Sequence, residues 1–379
     1  MNYIMLKDIC AINMGQSPDS NSYNDEGYGL PFFQGNADFG ERYPIAKKWC
    51  SAPQKIAKPE DILISVRAPI GAVNYAKEKC CIGRGLAAIT LDKSKVSKEF
   101  IFWLLKSKNQ ELNNKGVGST FKSIGRKVLE ETLVPDLTKE KQMRYSEILE
   151  KLYFIIQSRM IQQKELDELV KARFIEMFGD ITIGNYEYET RKLGDVSTIG
   201  SSHRVFTTEF VDTGIPFYRG TEIGELANGI KPTEPYYISE EHYSRLTSDD
   251  TKPQIGDLLM PSICNKGQVW MVDTVEPFYY KDGRVLCISP DREIFDTKYL
   301  EYFMRIKTMI EYPKLGSGST FAEFKIFLLK NIDVLIPPRY LQEQFADFVR
   351  QADKSKAVIE KSLKELETLQ ASLMQKYFS

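Results

Sequence analysis

Histidine is nearly missing from this chain: His203 and His242 are the only two in 379 residues, and both fall in the second half. Neither belongs to a His-Glu-x-x-His pattern, so nothing points to a histidine-built metal centre. The cysteines, Cys10, Cys50, Cys80, Cys81, Cys264 and Cys287, show no Cys-x-x-Cys spacing and no match between the halves. Scattered reduced thiols are therefore expected rather than a zinc site or a disulfide framework. No apolar run approaches the roughly 18 residues that cross a bilayer, and Met1-Asn2-Tyr3-Ile4 lacks the charged and apolar regions of a signal peptide. The expected location is the cytoplasm.

Catalytic signatures are missing too. The run Gly116 to Thr120 has the glycines of a phosphate loop, but Gly118 rather than lysine precedes Ser119, which argues against nucleotide hydrolysis. An adenine methyltransferase needs a short Asp- or Asn-Pro-Pro-aromatic segment to grip a flipped base; Leu335-Ile336-Pro337-Pro338-Arg339-Tyr340 has neither the acid or amide nor the adjacent aromatic. A nuclease reading of Pro135-Asp136 with Glu140 lacks a properly spaced acid and lysine. No catalytic residue, resident cofactor or metal ligand is expected on this chain.

What the chain does contain is itself, twice. Gly116-Val117-Gly118-Ser119-Thr120-Phe121 returns as Gly316-Ser317-Gly318-Ser319-Thr320-Phe321. In the same order Leu6-Lys7-Asp8-Ile9 answers Leu193-Gly194-Asp195-Val196, and Leu30-Pro31-Phe32-Phe33-Gln34-Gly35 answers Ile215-Pro216-Phe217-Tyr218-Arg219-Gly220. Glu60-Asp61-Ile62-Leu63 answers Gly256-Asp257-Leu258-Leu259, and Gly83-Arg84 answers Gly283-Arg284. Ordered echoes of this kind mark an internal duplication whose frame is kept while its contents diverge.

Each copy divides into a mixed domain and a long helix, with boundaries at 1–138, 139–179, 180–338 and 339–379. The mixed parts alternate short β-rich runs, such as Asp61 to Val66, Gly85 to Leu91, Asp257 to Met260 and Val285 to Ile288, with Gly, Pro and Asn, and each carries one good helix, near Phe100 to Ser107 and Lys298 to Ile310. From Lys139 to Phe178 there is neither Pro nor Gly, and Ile148, Leu152, Ile155, Leu169 and Phe174 fall on one helical side. Gly179 supplies the stop. After Pro337-Pro338, Phe345, Ala352, Ile359, Leu366 and Leu373 recur every seven residues, the interval of a helix seam facing a partner. Lys164-Glu165-Leu166 echoes Lys364-Glu365-Leu366, so each long helix is the natural partner of the other, with Leu152, Ile155, Leu166, Leu169, Ile359, Leu366 and Leu373 as the expected interface. The second helix closes the structure only by running back, which predicts an antiparallel, coiled-coil rod. The expected fold class is α+β: two repeated mixed α/β domains joined by two long antiparallel helices with pseudo-twofold symmetry. Two independent helical hairpins are the alternative.

The order of these segments resembles the specificity subunit of type I restriction-modification enzymes. The resemblance rests on a duplicated unit with Gly-rich Ser-Thr-Phe, then Val134-Pro135 or Ile336-Pro337-Pro338, then Lys141-Gln142 or Glu343-Gln344 opening a long helix. It covers essentially the whole chain. It implies two target-recognition domains, each reading one part of a bipartite double-stranded DNA sequence, and two modification (methyltransferase) subunits bound around the helices, with restriction (nuclease and translocase) subunits where the host encodes them. S-adenosylmethionine, Mg and ATP are then expected on those partners and none on this chain.

Charge complicates that expectation. The first mixed domain carries about +4 and the second about −7, whereas phosphate contacts dominate DNA affinity. Acidic faces turned away from DNA, or backbone grip supplied by modification subunits, would each reconcile the two. Base readers are expected among loop residues with donors: Arg42, Lys47, Arg67, Arg84, Ser119, Thr120 and Lys122 in the first half, and Arg204, Arg219, Arg245, Lys266, Arg284, Ser319 and Thr320 in the second. Arg84 and Arg284 share a framework position and read equally as structural ion pairs; Ser119-Thr120 read equally as helix caps. The competing class is a noncatalytic pseudo-twofold adaptor that holds two protein ligands and no DNA.

Overall fold

The computed structural model describes residues 2–118, 122–249, 251–315 and 322–379. The chain forms two compact units, residues 1–162 with 359–379 and residues 163–358, and both are assembled on one plan. In the first unit a four-stranded antiparallel sheet has the order Cys10–Met14, Leu86–Leu91, Ile62–Ser65, Val73–Tyr75. Its inner strand reads Leu-Ala-Ala-Ile, buried on both faces. The small Ala87 and Ala88 pair with Ile64 and Leu63, and the helix Lys98–Ser107 joins the same core through Phe100, Trp103 and Leu104. The Ser97 side chain accepts from the Phe100 amide and caps that helix. A second sheet holds Leu30–Phe33 parallel to Cys80–Ile82, and Tyr3–Met5 pairs with Leu133–Pro135 to close the unit.

The second unit repeats each piece. Its four-stranded sheet runs Ser197–Gly200, Val285–Pro290, Leu258–Pro261, Trp270–Met271; Ile215–Tyr218 lies parallel to Tyr279–Tyr280; Glu189–Lys192 pairs with Asp333–Ile336. The helix Thr297–Glu311, capped by Asp296, takes the place of Lys98–Ser107. All six cysteines are free, and burial pushes the Cys80 and Cys81 thiols up to about 12, which leaves them as inert core hydrophobes.

The two long helices span Lys139–Phe178 and Arg339–Phe378, and each contributes one end to each unit. Gly179, at φ +85°, donates its amide to the Ile175 carbonyl and ends the first in the left-handed conformation that glycine adopts freely. In the first unit Leu149 and Tyr153 share a core with Tyr377 and Phe378, and Tyr145 stacks on Tyr377 at 3.9 Å. In the second, Val170, Phe174 and Phe178 pack with Phe345, Val349 and Ala352. There Asp167 pairs with Lys356 while Phe174 meets Phe345, so rising numbers on one helix meet falling numbers on the other and the pair is antiparallel.

Two expected seam residues lie off it. Ile155 is 45% exposed and Leu169 52%, whereas Leu152, Ile156 and Val170 are buried and Leu166 half-buried. One residue is about 100° of helix rotation, so Ile155 and Leu169 stand a quarter turn outside the stripe that Ile156 and Val170 occupy. On the second helix Ile359 is buried and Leu366 and Leu373 half-buried, in keeping with the seven-residue reading. The registration of the helix starts also needs correcting. The counterpart of Gln142 is Gln342, not Gln344. Both are buried; Gln142 accepts from the Ser97 amide and donates to the Leu137 carbonyl, while Gln342 accepts from the Asp296 amide and donates to Ile294 and Pro337. Each thus ties the cap residue of the shorter helix to the first turn of a long one.

Candidate nucleic-acid interface

At one end of the first unit's four-stranded sheet, four segments are laced together through their backbones. Beyond the strand Ile62–Ser65, the Val66 amide donates to Gly85 (2.9 Å), the Val66 carbonyl accepts from Ile124 (2.9 Å), and the Ala68 amide donates to Lys122 (3.0 Å). Val117 and Ser123 exchange two 3.0 Å bonds, and Gly85 donates to the Gln34 carbonyl (3.1 Å). Glycine is required at 85, because a Cβ there would lie 2.3 Å from the Gln34 oxygen. The lacing brings Gln34, Arg67, Arg84 and Lys122 onto one exposed loop cluster. The neighbouring Arg126 and Lys127 pair with Glu130 and Glu131, but among the described residues Arg67, Arg84 and Lys122 form no ion pair. Such a group suits phosphate contact.

The second unit builds the same lattice with different charge. The Ser262 amide donates to Arg284 (2.8 Å) and its carbonyl accepts from Phe324 (2.7 Å), so Ser262 stands for Val66 and Phe324 for Ile124. Where the first unit has Ser123, the second has Glu323. It takes a 2.7 Å bond from Arg284 Nη1 and pairs with Lys325. The bond from Lys325 outweighs partial burial and holds the Glu323 carboxyl below the usual range. Arg284 is therefore an ion-paired residue and, contrary to the sequence echo, does not share a framework position with Arg84: the equivalent bonds to Val66 and Ser262 set Arg284 opposite Gly85 and Gly283 opposite Arg84. Arg204 lies 3.2 Å from Asp282 and Arg245 3.5 Å from Glu209. Lys266 is exposed on the 262–269 loop. A cavity of about 420 Å³ opens beside the cluster, lined by Leu286, Phe324, Phe327, Lys325 and Lys330 among others.

Arg42 does not join the loop cluster. It pairs with Glu150 on the first long helix, and its guanidinium lies 4.7 Å from the Phe102 ring, 5.2 Å from Trp103 and 4.4 Å from Tyr153. Trp103 Nε1 donates to the other Glu150 oxygen at 2.9 Å. Burial and the nearby Arg42 hold the Lys106 ammonium below its usual range. With its charge paired to Glu150 and three aromatic rings close to its guanidinium, Arg42 fastens the 36–48 loop to the helix. Lys47 is exposed on that loop. Ser119, Thr120, Ser319 and Thr320 lie outside the described residues. The two histidines sit against carboxylates, His203 at 2.6 Å from Asp249 and His242 at 3.6 Å from Glu209; among the described residues no group of three His, Cys, Asp or Glu could hold a metal.

Arg219 closes the strand Ile215–Tyr218 and opens the helix Gly220–Ala227. Its amide donates to Glu222 Oε2 (2.8 Å), as do its Nε (3.1 Å) and, to Oε1, its Nη2 (2.5 Å). The guanidinium lies 4.5 Å from the Tyr236 ring centroid. Gly220 packs on Pro261 beside the Arg284 carbonyl, which places Arg219 next to the second loop cluster. In the first unit Gln34 holds this position, its amide donating to Asp38 Oδ2 (2.6 Å). Gln34, Gln342 and Glu323 were not among the expected site residues, although Gln34 already stood opposite Arg219 in the sequence echo.

The sequence matches the family described as Type I restriction modification DNA specificity domain twice, over residues 1–168 and 185–368. The chain belongs to that family. It is 44% identical over 162 residues to the putative type I restriction enzyme MjaX specificity subunit of Methanocaldococcus jannaschii, a match covering 43% of this chain and only 37% of that relative. To the type I restriction enzyme MjaIX specificity subunit of the same organism it is 23% identical over 375 residues, 91% of this chain and 85% of the relative. Its fold is shared with the S subunit of the type I restriction-modification system from M. genitalium (TM-score 0.61, 15% identity, 100% of this chain and 96% of that one). It is shared equally with a chain from a structural study of complex assembly and conformational transition of the type I R-M system (TM-score 0.62, 18% identity, 100% and 97%).

Proposed function

We propose that this chain is the DNA-reading subunit of a type I restriction-modification assembly, in which each unit reads one half of a bipartite duplex target. The observation that carries the reading is the loop cluster built once per unit on the same backbone lattice, presenting unpaired cations in the first unit and buttressed ones in the second. Family membership supports it. The two long helices, each continuous through both units, serve as the spacer between half-sites. Their exposed apolar residues Phe154, Ile155, Met160 and Ile161 in the first unit, and Leu169 in the second, form the surface on which two modification subunits dock.

The chain itself is noncatalytic in this reading. S-adenosylmethionine, and Mg and ATP where restriction subunits take part, bind the partner subunits, and the assembly works in the cytoplasm. The test is to co-express the chain with its modification subunits and map methylated adenines in the host genome. A single motif in two parts, separated by a fixed gap, is expected. Methylation without sequence preference would leave the twin-domain adaptor as the better description.

A further inference from the structure

The position after the parallel strand of each unit holds different side chains on one framework. In both units the backbone amide there is bound by a carboxylate three or four residues ahead, Asp38 for Gln34 and Glu222 for Arg219. In both it adjoins the loop cluster: Gln34 through its carbonyl bond from Gly85, Arg219 through the seat of Gly220 against Pro261. The frame is constant and the presented group varies. That is what two units reading different half-sites require.

The chemistry of the two groups is specific. A guanidinium has five N–H donors. In Arg219, Nε and one Nη2 hydrogen face the Glu222 oxygens. Glu222 is almost fully enclosed, its side chain 5% exposed, so it is a fixed brace rather than a mobile counterion. The Tyr236 ring holds the guanidinium plane from one side. Of the three N–H groups that remain, one on Nη1 and the second on Nη2 form the end of the fork, two parallel donors at the separation of guanine O6 and N7. Gln34 is exposed, and its side-chain amide offers one acceptor and one donor, the pattern that adenine N6 and N7 complete.

We infer that Gln34 and Arg219 are equivalent base-reading residues in the major groove, Gln34 directed at an adenine in one half-site and Arg219 at a guanine in the other. The inference rests on the DNA-reading function proposed above. Glu222 and Tyr236 are positioning residues for Arg219.

The test uses the full chain assembled with its modification subunits and a pool of random duplexes, with bound DNA sequenced. Gln34→Arg should convert one adenine of one half-site to guanine, changing preference at that base pair by 10-fold or more, and leave the other half-site untouched. Arg219→Gln should do the reverse in the other half-site. Arg219→Lys keeps the charge but not the fork, and should relax the guanine alone. Because Gln34 is exposed and its side chain makes no bond within the described residues, Gln34→Arg leaves the fold intact and reads the inference even where an Arg219 variant does not fold. Gln34→Arg selecting the wild-type adenine-containing half-site would overturn the assignment. Wild-type protein that enriches no motif would overturn the DNA-reading function itself, a separate and recognisable result.

Discussion

The two loop clusters share a backbone lattice and differ in charge. In the first unit Arg67, Arg84 and Lys122 stand exposed on a lattice tied by Val66, Gly85 and Ile124. In the second, the equivalent lattice through Ser262, Arg284 and Phe324 carries Glu323, which draws both Arg284 and Lys325 onto itself. The second unit has Ile263, Gly283 and Ala322 where the first has Arg67, Arg84 and Lys122, and Glu323 where the first has Ser123, so its own cations Arg284 and Lys325 come with a carboxylate beside them. The difference accounts locally for part of the contrast between a domain of about +4 and one of about −7. It also separates two tasks. A lone cation grips phosphate without regard to sequence, whereas a cation fixed by a carboxylate has few remaining directions in which to donate and so discriminates between partners. On the function proposed above, the first cluster is the better suited of the two to phosphate contact.

The largest expected effect comes from exchanging the first mixed domain. Replacing residues 1–138 with the corresponding segment of another family member should change one half of the methylated motif completely and keep the other half. Methylome sequencing reads both halves at once. Simultaneous change of both would show that the units do not read independently, and the comparison between them would lose its meaning.

Next in size is the framework the units share. Gln142→Ala and Gln342→Ala each strip a buried side chain of its hydrogen bonds and orphan a capping amide and one or two carbonyls. Unmet buried groups cost about 1–3 kcal/mol each, so losses of about 2–5 kcal/mol are expected, larger at Gln342, which has the extra bond. Urea midpoints of the two variants measure it. A loss below about 0.5 kcal/mol at either position would deny that the two helix junctions are the same device.

How far these features could be read in the sequence follows from what each depends on. The duplication, the long helices from Lys139 and Arg339, and the short helices near residues 100 and 300 depend on periodicity and on Pro and Gly, which are local. The seam phase was less legible: Ile155 and Ile156 are adjacent and equally apolar, and only packing against the partner helix separates the buried from the exposed one. Gln142 and Gln342 were misregistered because Gln344 also lies near a helix start, and only the shared bonds to Ser97 and Asp296 decide between them. Arg42 looked like an exposed loop cation; its partner Glu150 is more than a hundred residues away, a distance over which sequence spacing carries no signal.

The charge comparison can be reversed directly. Glu323→Ser should release Arg284 and Lys325 toward DNA, while Ser123→Glu should tie down cations near Arg67 and Lys122. Each phosphate contact contributes about 0.9 to the slope of log affinity against log salt. Glu323→Ser should therefore steepen that slope by about 1–2, and Ser123→Glu should flatten it by a similar amount. Titrating the assembled complex with one cognate duplex between about 50 and 200 mM salt separates the outcomes. Unchanged slopes in both variants would place the clusters away from the phosphate backbone.

The smallest effect concerns the brace itself and sharpens the contrast between Arg219 and Gln34. Burial pushes the Glu222 carboxyl up, but the bonds from the Arg219 side chain and amide outweigh it, and the net direction is down. A carboxylate with a depressed folded pKa adds stability that is fully present above its unfolded value of about 4.3 and is lost as pH falls through the lower folded value. Arg219→Gln removes the guanidinium and leaves burial less opposed, so the folded pKa rises. The second unit should then be less stable than the wild type near neutral pH but lose less further stability as pH falls, so the acid limb due to Glu222 shrinks, and reverses if the folded pKa passes the unfolded one. Gln34 carries no charge, and Gln34→Ala should leave the acid limb of the first unit in place. Hydrogen exchange between about pH 3 and 6, followed separately in peptides from the two units, reads both. An acid limb that Arg219→Gln leaves unchanged would mean that the guanidinium is not what holds Glu222 ionised, and the brace could not then orient Arg219 for a base.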